Sequence, residues 1–154
     1  HYQGIRDSDV PRVQLDESGS ALRVIAGDFP DGAREAKGPA KTFSPIQLWD
    51  LRLKPGRSHE LKLPRGYTTA IFVLDGDVKL GTGETLKSAE LAILDRDEEV
   101  FSLEALGPEA KLLVRGGEPL GEPIVGYGPF VMNSVAEIKQ AMIDFEEGKM
   151  GRFA

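Results

Sequence analysis

Short apolar runs recur along this chain at intervals of about ten residues, each closed by glycine or proline. The 18 glycines and 10 prolines in 154 residues exceed the ordinary share of the two and punctuate these runs. This spacing predicts an all-β sandwich or barrel of about eight strands.

The clearest strand runs from Ile46 to Lys54, where Trp49, Leu51 and Leu53 alternate with Asp50, Arg52 and Lys54. Successive strand side chains point to opposite faces, so one face is apolar and the other charged. Ala21 to Ala26 is a second run, stopped by Gly27, and Leu61 and Leu63 alternate with Glu60 and Lys62 beyond the turn at Pro55-Gly56. Thr69 to Leu74 is continuously apolar or β-branched, as a central strand would be. Further strands are expected at Leu91 to Leu94, at Val100 to Leu103 and at Lys111 to Arg115, the last closed by Gly116-Gly117. Asp75-Gly76, between Ile71/Val73 and Val78/Leu80, predicts a tight hairpin. After Ser134 the period changes. Ser134 and Glu137 have capping-box spacing, Val135, Ile138, Met142 and Phe145 form one helical stripe, and Gly148 ends it. That stripe calls for a partner surface: the outside of the barrel, another domain or another subunit.

Composition narrows the function. The 19 Lys and Arg against 25 Asp and Glu give a formal charge of −6, the wrong sign for a general nucleic-acid binder. No stretch approaches the ~20 apolar residues of a membrane span. The absence of cysteine excludes disulfides, thiolate metal sites and cysteine nucleophiles, and fits a reducing, cytoplasmic setting. The chain begins at His1 with no signal-peptide pattern, as expected of a processed or tagged start or of a piece of a longer protein.

The remaining chemistry is sparse. Gly81-Thr82-Gly83 reads as a turn, because Leu86 stands where a dinucleotide loop needs glycine and no Lys-Ser/Thr follows. Asp95 to Glu99 reads as a solvated acidic turn, Val100 holding the place where a calcium loop needs glycine. His59, the only internal histidine, lies between Ser58 and Glu60 and reads as an exposed side chain. Arg52, Lys54, Arg57, Lys62 and Arg65 form either a docking patch for an anion or acidic partner, or a solvated face. Trp49, Tyr67, Thr69 and Phe72, with Phe101, are either cavity walls or core filling. No catalytic residue is identified.

Pro55-Gly56, Arg65-Gly66-Tyr67 and Val73-Leu74-Asp75-Gly76-Asp77-Val78 resemble the first block of a cupin barrel. Gly117 to Val125 followed by Tyr127-Gly128-Pro129-Phe130-Val131-Met132-Asn133 is similar to the closing segment of the pirin and pirin-like proteins, and His1-Tyr2-Gln3 with Val10-Pro11 to the start of that family's second half. The resemblance covers essentially the whole chain. It implies a cupin-type β-barrel (double-stranded β-helix or jelly roll) with one C-terminal helix, as a single domain over 1–154: a linker and first strand over about 1–20, the barrel over 21–126, the motif over 127–133 and the helix over 134–148.

Pirins are tandem barrels whose N-terminal barrel holds iron through three histidines and a glutamate, and some cleave quercetin with dioxygen. By this resemblance the chain is the C-terminal barrel, and the four ligand places hold Lys62, Pro64, Val100 and Ser102. No metal or cofactor is expected in this chain; iron belongs to an N-terminal barrel. The expected role is a metal-free module packing on that barrel or on another subunit, homodimers included, through Tyr127, Phe130, Val131, Met132, Asn133 and the stripe Val135, Ile138, Met142, Phe145. The alternatives are one half of a quercetin 2,3-dioxygenase-like enzyme, and an independent small-molecule-binding barrel.

Overall fold

A computed structural model describes residues 3–30 and 35–151; the readings on His1 and Tyr2 lie outside them. The chain divides into two compact units, His1–Pro119 and Leu120–Ala154, so the boundary falls ahead of Tyr127, where the sequence motif begins.

The first unit carries twelve strands among the described residues: β1 (Arg12–Gln14), β2 (Ala21–Ala26), β3 (Asp28–Phe29), β4 (Ala36–Lys37), β5 (Ile46–Leu53), β6 (Ser58–Lys62), β7 (Thr68–Asp75), β8 (Val78–Leu80), β9 (Thr85–Leu86), β10 (Leu91–Ile93), β11 (Val100–Ala105) and β12 (Ala110–Gly117). Six form an antiparallel sheet in the order β1-β2-β5-β12-β7-β10; β6-β11-β8-β9 form a second, and β3-β4 a short ribbon.

One core joins the two main sheets. In register across the larger sheet stand the rows Val24–Trp49–Val114–Ile71 and Leu22–Leu51–Leu112–Val73, every member of which is buried. The smaller sheet adds Leu61, Val78, Leu80, Leu103 and Ala105 to the same cluster. Each fully buried leucine or valine contributes roughly 1.5–3 kcal/mol. The row between lies on the opposite face: Arg23–Asp50–Leu113–Phe72–Leu91, in which Asp50 is buried, Leu91 exposed and the others half-buried. The alternation read at Ile46 to Lys54 therefore holds.

Three readings are corrected. Asp75-Gly76 is not a hairpin: β7 pairs with β12 and β10, whereas β8 pairs with β11 and β9. The turn carries the chain from one sheet to the other. Gly76 is required there, because φ is +82° and a Cβ would lie 2.4 Å from the Glu109 carbonyl oxygen. Gly116 and Gly117 do not close a strand but continue β12 between β5 and β7; a Cβ on Gly116 would press on Leu63 at 2.9 Å. His59 is not exposed but buried on β6, on the same face as Leu61.

The second unit pairs β13 (Val125–Tyr127) with β14 (Phe130–Met132) and continues into α1 (Val135–Glu146). Ser134 caps the helix, its hydroxyl oxygen accepting the Glu137 N–H at 3.3 Å. The Glu137 carboxylate reaches one residue further back than a simple capping box, accepting the Asn133 N–H at 3.1 Å and the Ser134 hydroxyl at 2.8 Å. Gly148, at φ +73°, follows the end of the helix. Along the stripe, Ile138 is buried and Met142 half-buried, while Val135 and Phe145 are more than half exposed; Ala141 is buried as well.

Candidate functional site

Strand alternation decides what the ligand places inferred from the family resemblance can do. On β6, His59 and Leu61 face the core, with Leu63 buried just beyond; Lys62 lies on the other side and is exposed. Val100 is the register partner of Lys62, and Ser102 that of Glu60. The neighbouring positions of β11 that turn inward are Phe101, half-buried, and Leu103, buried. Pro64 is exposed. Iron needs nitrogen and oxygen donors converging on one point. Neither the named places nor their inward neighbours supply such a set, and no three His, Asp or Glu side chains converge among the described residues. Among the described residues, the places that the resemblance names do not fit the metal.

Where β3, β5, β6 and the start of β11 meet, a pocket of about 290 Å³ opens. Trp49 and Leu63, both buried, form part of its lining, with Pro30 and Pro64 as further apolar walls. Asp28, Lys62 and Glu99 are exposed at its rim. The Lys62 ammonium and Glu99 carboxylate are 3.8 Å apart, too long for a hydrogen bond. Gln47 also lines the pocket, its side-chain oxygen accepting the Asp28 N–H at 2.7 Å. Phe29 holds the indole edge-to-face at 5.2 Å. The buried Trp49 Nε1–H has no hydrogen-bond acceptor among the described residues.

Of the four cavity candidates, only Trp49 lines this pocket. Thr69 is buried on β7 and Phe72 occupies the opposite face of that strand, because the continuous apolar run conceals the two-residue alternation. Tyr67 is half-buried; burial first, and the Glu118 carboxylate second, push its phenol above the ordinary value.

The basic patch does not gather. Arg52 pairs with Asp50 at 3.4 Å, Lys54 with Glu109, and Lys62 faces Glu99. The sequence reading missed Asp16, in the turn between β1 and β2. Its Oδ1 accepts the Ser18 hydroxyl at 2.7 Å and the Ser20 N–H at 3.0 Å. Its Oδ2 lies 3.1 Å from His59 Nε2. Burial alone would raise this carboxyl; Ser18, Ser20 and His59 together hold it well below the ordinary carboxylate range. Asp28, Gln47 and Glu99 were missed as well, since nothing local marks three separated polar residues as neighbours.

In the second unit, Val125, Tyr127, Val135, Ile138 and Met142 line an open apolar groove of about 380 Å³, with Lys139 beside them. Tyr127, Val131, Val135 and Phe145 are 60–66% exposed. Phe130 and Met132 are half-buried, Phe130 meeting Phe145 edge-to-face at 6.2 Å. Asn133 is exposed and tethered to the preceding loop, donating from Nδ2 to Glu122 and to the Pro123 carbonyl, both at 2.9 Å. The expected contact surface thus comprises exposed apolar residues, the buried or half-buried Phe130, Met132, Ile138 and Met142, and an exposed asparagine held by its own loop.

The profile of the pirin C-terminal cupin domain matches residues 48–151. A crystal structure of quercetin 2,3-dioxygenase from Acinetobacter baumannii aligns with all of this chain and 52% of that one, at 48% identity and a TM-score of 0.90. A relative from Pseudomonas aeruginosa is 48% identical over 98% of this chain and 51% of its own length. Pirin of Homo sapiens is 33% identical over 97% of this chain and 51% of its own length. The chain spans about half the length of the curated relatives it matches. No helix among the described residues is long and apolar enough to cross a membrane.

Proposed function

Since the chain belongs to the pirin family, matching its C-terminal cupin domain, we propose that it is a metal-free, non-catalytic barrel that packs against a metal-bearing cupin barrel. The observation that carries this reading is the apolar groove of the second unit, with Tyr127, Val131, Val135 and Phe145 exposed around it. Isolated apolar residues on a surface are ordinary, but a groove of them beside further exposed apolar side chains marks an interaction site. In the first unit, the row Leu113–Phe72–Leu91 sets the exposed Leu91 beside the half-buried Phe72 and Leu113. The occupant we assign to the groove is the family's other barrel, because relatives at 33–48% identity are twice as long. The metal-free part of the reading rests on Leu61, Leu63, Phe101 and Leu103 taking the inward places where donors would have to stand. The cysteine-free chain suits a reducing compartment, which we take to be the cytoplasm.

Analytical ultracentrifugation of this chain with the separately produced first barrel of the Pseudomonas relative tests the reading. A one-to-one complex is the expected result. Independent sedimentation of the two, with no hydrophobic dye bound by this chain alone, would overturn it.

The similarity to the Acinetobacter enzyme favours one further reading: this barrel is half of a quercetin 2,3-dioxygenase-like protein whose catalytic site lies in the other barrel. This chain with iron should then leave quercetin intact, while the two barrels joined in one polypeptide should consume it.

A further inference from the structure

Lys139 interrupts the apolar lining of the groove in the second unit. Val135, Ile138, Lys139 and Met142 occupy positions i, i+3, i+4 and i+7 of α1, so all four share one side of the helix. Three are apolar, and the fourth carries an ammonium. The helix gives that charge no partner: the residues three and four positions away are Val135, Ala136, Met142 and Ile143. Nearby carboxylates are engaged elsewhere, Glu137 by Asn133 and Ser134, Asp144 by Gln140 and Lys149, and Glu122 by Asn133. Among the described residues, Lys139 is exposed and takes part in no ion pair or hydrogen bond.

This charge restricts what can cover the groove. An ammonium taken out of water without a counter-charge is costly, which disfavours a wholly apolar partner surface. A second copy docking groove to groove would present the same face, and with it another Lys139 instead of a carboxylate. The complementary surface sets apolar side chains against Val135, Ile138 and Met142 and holds a carboxylate among them. Resting on the barrel-packing reading above, we propose that the cupin barrel seated in this groove presents an aspartate or glutamate to Lys139. The apolar contacts hold that barrel, and the ion pair selects it over other apolar surfaces.

A carbodiimide, which joins an amine to a carboxylate in direct contact, tests this on the chain mixed with the first barrel of the Pseudomonas relative. Mass mapping of the cross-linked peptides should find Lys139 joined to an Asp or Glu of that barrel. Lys139→Gln should weaken the complex about tenfold, and Lys139→Glu by more. Both alter an exposed side chain and should keep the wild-type circular dichroism spectrum and thermal midpoint. Raising salt from about 0.05 M to about 0.5 M should weaken the wild-type complex several-fold and the Lys139→Gln complex less. A complex of unchanged affinity in both variants, or one whose cross-links all bypass Lys139, overturns this inference and leaves the packing of the barrels standing. Absence of any complex overturns both.

Discussion

His59 Nε2 and Asp16 Oδ2 stand 3.1 Å apart with their side chains only 8% and 2% exposed. The contact ties the turn between β1 and β2, in the larger sheet, to β6 in the smaller one. Ser20, itself fully buried, extends the tie by accepting the Lys54 N–H at 2.9 Å. Removing one partner from such a pair leaves a buried polar group without its counterpart. Asp16→Ala should therefore destabilise the first unit by about 3 kcal/mol, read as a lower urea midpoint at pH 7.

The same carboxylate sets an acid limit. Its folded pKa is depressed relative to an unfolded value near 3.8, so its contribution is complete above that value and is lost progressively as pH falls through and below it. Urea midpoints of the wild type should drop between about pH 5 and pH 3. The difference between wild type and Asp16→Ala should shrink over the same range; a difference that stays constant would show that Asp16 is not the titrating group.

Two glycines with similar backbone angles should respond differently to alanine. Gly76, at φ +82°, has the Glu109 carbonyl oxygen in the way, whereas Gly83, at φ +94°, has open space beside it. Gly83→Ala should cost about 1 kcal/mol of backbone strain, and Gly76→Ala about 3 kcal/mol or more. Thermal unfolding of the two variants compares them directly.

Val135 is 60% exposed and lines the apolar groove. Val135→Asp should leave the thermal midpoint nearly unchanged, since exposed substitutions usually stay within about 0.5 kcal/mol. Association with a cupin barrel should weaken by at least tenfold, because a carboxylate would have to be desolvated at the contact. Unaltered association would place the contact elsewhere.

Incubation with ferrous iron under anaerobic conditions, followed by desalting and elemental analysis, should leave well under one equivalent bound. Stoichiometric iron retained by this chain would contradict the absence of a converging donor set.

How far the sequence could be read depended on whether each signal was local. Ile46 to Lys54 declares its two faces by strict alternation, and the Tyr127–Asn133 segment carries its own family signature. Phe72 could not be assigned to a face, because an unbroken apolar run looks the same from either side. Asp75-Gly76 has the residues of a tight hairpin, yet the strands flanking it have better partners in opposite sheets. His59 sits among charged neighbours, and the carboxylate that makes its burial tolerable is in a turn far back in the chain. The pocket around Trp49 joins residues from four separate segments. Only the assembled sheets bring them together.

The central place of β12 between β5 and β7 bears on how the chain is made. Ribosomes deliver residues in order, and most of the larger sheet emerges before Ala110–Gly117 exists to join its parts. Until then β5 and β7 each lack the neighbour that covers one edge, and unpaired strand edges invite pairing with other chains. A nascent chain stalled ahead of Ala110 is thus a set of open-edged fragments, and the last tenth of the first unit to be synthesised is what turns them into a barrel.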